Sequence, residues 1–435
     1  VMNPYYTGIG IARALHARAV RVIAVYADPR APGRRSRYFD EMIEVPNVRS
    51  DPQRLVEALL AIGRRLGAGG DVEGSERPII FPTSDADILF LHEHRAPLNA
   101  VFRLPQSDAE SPILVMMDKL TLAERAHAIG VPTPTTIVCA SEAALEQAMP
   151  SLRLPAILKP RFANQWRGAG NWKQVGEQKA FIALDADALR QHYRRVATVH
   201  PEVLIQEFIP GADADIVVYC CYIDRSGAVL GSFTGRKLRQ DPPQVGTGCV
   251  VECLDVPEIA APAVRILREF GYCGIAEVEF KRRGGQGEFS LIEINPRHWD
   301  QHEMGLLAGV NLSWIAYRNM CGGDLPPVLS RVARWKKVPF DMAAAVEQNA
   351  GWLAVALLPV LGVMSSLASR ALLGFVNWLR RRRLLHWYHR LQVLETRLDM
   401  EDRGFARSSR SAAEIERIDL AVSRIRVPLN LSDQY

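Results

Sequence analysis

Residues 275–297 read IAEVEFKRRGGQGEFSLIEINPR and hold the densest chemistry in the chain. Two apolar runs flank a glycine-bearing turn, a pattern that predicts a β-hairpin. Glu279 stands on the first run, while Glu293 and Asn295 stand two apart on the second and so share a face. Across the hairpin Glu279 meets them. Two carboxylates and an amide oxygen are hard donors, suited to Mg²⁺ that is also held by nucleotide phosphates. The plain alternative is a solvated face. Against it, these acids sit beside Phe280, Ile292 and Ile294, where unpaired burial is costly.

The cations point to an anion. Lys159 closes the apolar run PAILKP, just before a loop bearing Arg167, Gly168 and Gly170. A lysine at a strand end, beside backbone N–H donors in a flexible loop, suits a polyphosphate. Lys119 follows Asp118 at a helix start and can reach the same anion. Further on, GRKLRQ crowds Arg236, Lys237 and Arg239, and Arg297 follows Asn295 by two. Such a cluster repels itself unless anions occupy it. Arg236 and Arg239 have the guanidinium geometry to grip a substrate carboxylate. His298 and His302 have the spacing of one helix face, but a hydrogen-bonded or surface role is the stronger reading than metal binding. Neither a Ser-His-Asp nor a Cys-His pairing is evident.

The elements that must position these groups fall into four stretches. Residues 7–27, TGIGIARALHARAVRVIAVYA, read as a turn, an amphipathic helix and a β-branched run. A helix near 51–66 and the short run RPIIFP follow, so 1–115 predicts a small Rossmann-like domain with a parallel sheet. Gly8-x-Gly10 lacks the third glycine and the preceding strand of a dinucleotide fingerprint, and reads as a tight turn. Residues 116–204 alternate short strands with helices near 118–129 and 186–197, around the polar loop RFANQWRGAGNW. Residues 205–335 carry longer apolar strands and a helix at 258–270. The predicted class is thus α/β joined to an α+β body of antiparallel sheets around a cleft. A helical, partly apolar tail occupies 345–435.

Composition is that of an ordinary globular protein: 435 residues, 48% hydrophobic, 23% charged, net charge +5. That charge is too small to argue for nucleic acid binding. Seven cysteines without a C-x-x-C predict reduced, mostly buried thiols and a cytoplasmic body. The chain opens at Val1 without a secretory signal, which suggests a trimmed chain lacking a first strand.

The order Asp118-Lys119, Ile157-Leu158-Lys159-Pro160, the glycine-bearing loop, Gln206-Glu207-Phe208-Ile209-Pro210-Gly211 and Glu293-Ile294-Asn295-Pro296-Arg297 resembles the ATP-grasp superfamily. The run GRKLRQDPPQVGTG is similar to its carboxylate–amine ligase branch, which includes D-aspartate ligases. The likeness covers roughly residues 5 to 330. It implies an ATP-grasp fold in which ATP lies between two antiparallel sheets, under a lid subdomain at 116–204 and over a central domain at 205–335. It implies Lys119 and Lys159 on the α- and β-phosphates, Gly168 and Gly170 in the lid, and adenine at the backbone of 206–209. Gln206, Glu207, Asp213 or Asp215 would serve the ribose. Mg²⁺, with Mn²⁺ as a substitute, would sit on Glu279, Glu293 and Asn295, with Arg297 and Lys237 steadying the transferred phosphoryl. The implied reaction activates a small-molecule carboxylate as an acylphosphate for attack by an amine. A non-catalytic ATP-binding module tethered at a membrane, or a ligase with a non-amine acceptor, is the alternative. Two departures stand out: Gln206 replaces an acid common in relatives, and two tryptophans enlarge the lid loop.

Residues 348–369 carry no charge over about the length of a bilayer span, and Arg380–Arg383 follow. Segment 348–383 therefore predicts membrane association, in the plane or as a hairpin. The residues after it faintly resemble the C-terminal extensions of TAXI-type transport proteins. Oligomeric state is not legible.

Overall fold

A helix at Tyr6–His16 buries Ile11, Ala12 and Leu15 and leads into strand β1, Ile23–Tyr26, which pairs in parallel with β2, Glu41–Glu44. Single parallel bridges, Met2 with Val25 and Ile79 with Arg103, extend the arrangement. The run RPIIFP thus contributes one bridge instead of a strand. The computed structural model describes residues 1–67, 77–105, 112–167, 170–285, 287–323 and 325, and the backbone of 334–336. All belong to the unit Val1–Gln348. Segment 348–383, the rest of the tail and Gly168 lie outside the described residues. Among the described residues no helix is long and apolar enough to cross a membrane.

The second layer is a four-stranded antiparallel sheet. It comprises β3 (Thr136–Cys139), β4 (Ala156–Lys159), β5 (Phe181–Ala183) and β6 (Val203–Glu207), in the order β3-β6-β4-β5. Helix Ala186–Ala197 packs Leu189, Tyr193 and Val196 into its core with Leu158, Phe181, Val203 and Ile205. Trp166 joins that core at 1% exposure. The segment read as a polar loop holds two short helices, Ala163–Trp166 and Asn171–Gln174. The first tryptophan anchors the lid sheet, because an indole buries more apolar surface than any other side chain in the segment.

The third layer is a six-stranded sheet: β7 (Ile216–Ile223), β8 (Val229–Asp241), β9 (Thr247–Cys253), β10 (Gly274–Arg282), β11 (Phe289–Asn295) and β12 (Arg334–Lys336). Their order is β11-β10-β7-β8-β9-β12, all antiparallel. β7, IVVYCCYI, is buried along its whole length, as a strand covered on both faces must be. On one face lies helix Ala260–Glu269 with Ile266 and Leu267; the other shares a core with Ile11, Val22 and Phe81 from the first layer. All seven cysteines are free thiols, and only Cys321 is not fully buried.

Candidate active site

The hairpin forms as its pattern predicts. β10 pairs with β11 in a register that sets Glu279 opposite Glu293 and Glu277 opposite Asn295, with an irregularity after Glu279. All four side chains line one cavity of about 390 Å³. Glu277 escaped the sequence reading, although the same two-residue period places it beside Glu279. It is 3% exposed and accepts a hydrogen bond from Asn295 Nδ2 at 3.0 Å. Burial, with Glu279 as neighbour, pushes its carboxyl up to about 8.

Lysines enter the same cavity from the other elements. Asp118 caps helix Lys119–Ala128, accepting from Leu120 N, and clamps Arg161 at 2.8 and 2.6 Å. The cap holds Lys119, whose Nζ lies 3.7 Å from Glu293 Oε1. Lys159, 7% exposed, donates to Gln206 Oε1 at 2.9 Å, and Gln206 Nε2 donates to Thr136 Oγ1 at 2.8 Å. Gln206 thus holds Lys159 without neutralising it, as an acid would. Burial and the nearby Lys119 lower the Lys159 ammonium to about 8. Burial raises Glu293, but Lys119, Lys159 and Lys179 outweigh it and keep the carboxyl below its ordinary value.

Lys237 is 5% exposed and meets Glu279 Oε1 at 2.6 Å. Burial opposes its charge, yet Glu279 and Glu277 win and raise its pKa. Its neighbours in sequence part from it. β8 alternates, so Arg236 points to the other face, where it meets Glu252 at 2.6 Å, its direct cross-strand partner. Register irregularities on either side of Arg239 bring Gln240, three residues after Lys237, back to the cavity. The structure therefore leaves Arg236 and Arg239, the expected grip on the substrate carboxylate, outside the cavity lining.

Arg297 does line the cavity. Its Nε donates to Asp85 Oδ1 at 2.6 Å, Nη1 to His298 O at 2.9 Å and Nη2 to Asn295 Oδ1 at 3.3 Å. Burial raises the Asp85 carboxyl, but Arg297 overrides it and takes it down to about 2. Asp85 opens helix Asp85–Glu93 behind the cap Ser84. Only its separation of 212 residues from Arg297 hid it from the sequence.

Around the expected nucleotide base the outcome is mixed. Gln206 lines the cavity; Glu207, Phe208, Ile209 and Asp215 do not. Glu207 accepts from Arg283 at 2.7 Å, the Lys281 ammonium stands 4.9 Å from the centre of the Phe208 ring, and Ile209 is 2% exposed. Asp215 accepts from Ala212 N at 2.8 Å and closes a turn. Asp213 is 7% exposed and anchors the cavity loop, accepting from Gln240 N, Gln240 Nε2 and Gln244 N at 2.8–3.0 Å. Gly170 has φ of +88° ahead of helix Asn171–Gln174 and is outside the lining. The lid's second tryptophan, Trp172, lines the cavity with Arg167 stacked at 5.7 Å.

His298 and His302 are buried, not surface groups. They are 1% and 5% exposed, and bond Ser313 Oγ at 2.9 Å and Thr7 O at 3.0 Å. Among the described residues no group of three or more His, Cys, Asp or Glu is built to hold a metal unaided. Glu279, Glu293 and the Asn295 oxygen still fit Mg²⁺, which commonly takes one or two carboxylates and completes its shell with phosphate and water.

No family model matches the chain. The chain is 26% identical over 321 residues to the D-aspartate ligase of Enterococcus faecium, covering 72% of itself and 73% of the relative. A D-alanine–D-alanine ligase of Xylella fastidiosa is 25% identical over 187 residues, 41% of this chain and 57% of that protein. Among solved structures, an ADP complex of N5-carboxyaminoimidazole ribonucleotide synthetase superposes with a TM-score of 0.60 at 14% identity, covering 80% and 84% of the two chains. Biotin carboxylase of Campylobacter jejuni superposes at 0.58 and 17%, covering 77% and 74%. The architecture of two antiparallel sheets around a cleft is the ATP-grasp fold.

Proposed function

We propose that this chain, an ATP-grasp ligase that forms carbon–nitrogen bonds, binds ATP in the 390 Å³ cavity and activates a small-molecule carboxylate as an acylphosphate. The observation that carries the reading is the hairpin face. There Glu279, Glu293 and Asn295 share one surface with Lys237 and Arg297, while Lys119 and Lys159 approach from two other elements. Glu279, Glu293 and Asn295 would hold Mg²⁺, or Mn²⁺ in its place, which would supply charge neutralisation to the nucleotide phosphates.

Lys119 and Lys159 grip the α- and β-phosphates and fix the nucleotide. A substrate carboxylate oxygen attacks the γ-phosphorus, the bond to the β-bridging oxygen breaks, and ADP leaves. Lys237 and Arg297 meet charge that develops on the transferred phosphoryl group, a preorganised arrangement that needs no covalent help from the protein. An amine then attacks the acyl carbon, phosphate departs, and the amine loses a proton. Gln206, the one residue of the 206–209 stretch in the cavity lining, receives the nucleoside. Nothing in the lining selects one amine, so the curated relatives direct the choice of substrates to D-amino acids first.

The test is ADP release with Mg-ATP across D-amino acids and dicarboxylates, with hydroxylamine as a surrogate amine that traps an acylphosphate as hydroxamate. The productive carboxylate yields hydroxamate and ADP together. Glu293→Gln removes a ligand charge without a core contact, so it abolishes both while the chain stays folded by circular dichroism, with a thermal midpoint lowered only by the lost pairing with the lysines. Turnover at the wild-type rate in that variant would overturn the hairpin assignment.

A further inference from the structure

Lys179 belongs to no motif in the chain, yet it lines the cavity. It precedes β5 by two residues, on the four-stranded sheet, and its Nζ donates to Thr247 Oγ1, the first residue of β9 on the six-stranded sheet. It lines the cavity with Arg167, Lys237, Glu279 and Glu293. We propose that Lys179 is a ligand for the terminal phosphate of the bound nucleotide, carried by the lid sheet, and that it lets the cavity distinguish a triphosphate from a diphosphate. The inference rests on the reading of the cavity as an ATP site.

Two groups of cations share the cavity with the acidic hairpin. Lys159 feels Lys119, and both lie on the side assigned to the α- and β-phosphates. Lys179 instead feels Arg167 and Lys237, the latter assigned to the transferred phosphoryl. Both groups feel Glu279 and Glu293, so a polyphosphate that touches both groups lies near the carboxylates. Burial, and then Arg167 and Lys237, lower the Lys179 ammonium to about 8, so a cation stands there at a cost. A terminal phosphate, with its extra negative charge, removes that cost. A mere strut between the sheets needs only a neutral donor to Thr247, and that role wastes the charge.

Calorimetric titration of the full chain with Mg²⁺ and either ADP or a non-hydrolysable ATP analogue separates these roles. Lys179→Gln keeps a donor and loses the charge; it is expected to weaken the analogue about tenfold while changing ADP affinity less than about twofold. Thr247→Val removes the hydrogen-bond acceptor and leaves the charge, and the ratio of the two affinities is expected to stay at its wild-type value. Equal losses for both nucleotides in Lys179→Gln, no loss for either, or a Thr247→Val variant that reproduces its selective loss, would overturn the assignment. If wild-type protein binds neither nucleotide, the ATP reading of the cavity fails instead, and the two failures are distinct.

Discussion

At the scale of single residues, the site divides by how far apart its partners lie in the chain. Glu293, Asn295 and Glu279 are legible because a hairpin brings near neighbours together, and a two-residue period then tells which side chains share a face. Glu277 obeys the same rule and was available to it. Asp85 was not, since its partner Arg297 is 212 residues away and no local pattern couples them. Yet Asp85 sets the direction of the guanidinium. With Nε on Asp85 and Nη1 on the His298 carbonyl, the plane is fixed, and Nη2 faces Asn295. Asp85→Asn keeps the shape and removes the charge that holds Arg297. The expected outcome is a fall in kcat of up to about a hundredfold, the cost of misplacing a catalytic group by about 1 Å. ATP affinity measured by calorimetry should change by less than about twofold, because Asp85 acts on Lys119 only through its charge while it binds Arg297 directly. A variant that loses ATP affinity and keeps kcat would show that Asp85 serves binding instead.

At the scale of elements, strands were easier to read than the loops between them. Apolar runs announced β4, β7, β10 and β11, whereas β8, VLGSFTGRKLRQD, was hidden by its polar alternation and length. Missing that strand led to Arg236 being grouped with Lys237, although a strand sends adjacent residues to opposite faces. The lid segment misled in the opposite sense. RFANQWRGAGNW reads as polar because its one structural anchor, Trp166, is surrounded by small and polar residues, and its packing against Phe181, Leu158 and Tyr193 is non-local. Trp166→Ala should therefore behave as a core deletion and cost about 3–5 kcal/mol in the typical range for such truncations. Denaturant unfolding measures it, and Trp172→Ala, at a half-buried cavity position, is the comparison expected to cost less. Equal, small losses in both would mean that the lid sheet does not depend on Trp166.

At the scale of the whole molecule, the first layer and the six-stranded sheet share one core, in which Ile11, Val22 and Phe81 pack with Tyr222, Phe233 and Trp299. His298 and His302 stand at that junction, their rings 4.8 Å apart, with the Phe81 ring edge-on to His298 at 5.5 Å. Burial, the mutual charge of the pair and Arg297 hold His298 well below its ordinary value, and burial lowers His302 as well. The sign follows from where protons bind. An unfolded histidine titrates near 6.5, so below that pH the unfolded chain takes up protons that the folded one refuses. Stability is full above about pH 6.5 and falls as the pH drops below it, with a limiting slope of about 1.4 kcal/mol per pH unit for each histidine. Glu277 acts with the opposite sign over the same window: its folded value near 8 exceeds its unfolded one, so the folded chain binds the extra proton and loses stability as pH rises. The histidine contribution is therefore read as a difference. Urea midpoints of wild type and His298→Gln, taken from pH 7.5 to 5.5, should diverge near neutrality and approach each other towards the acid end, because glutamine keeps a polar partner for Ser313 and cannot titrate. A constant gap across that range would mean that His298 is held by packing alone and that its burial sets no pH dependence.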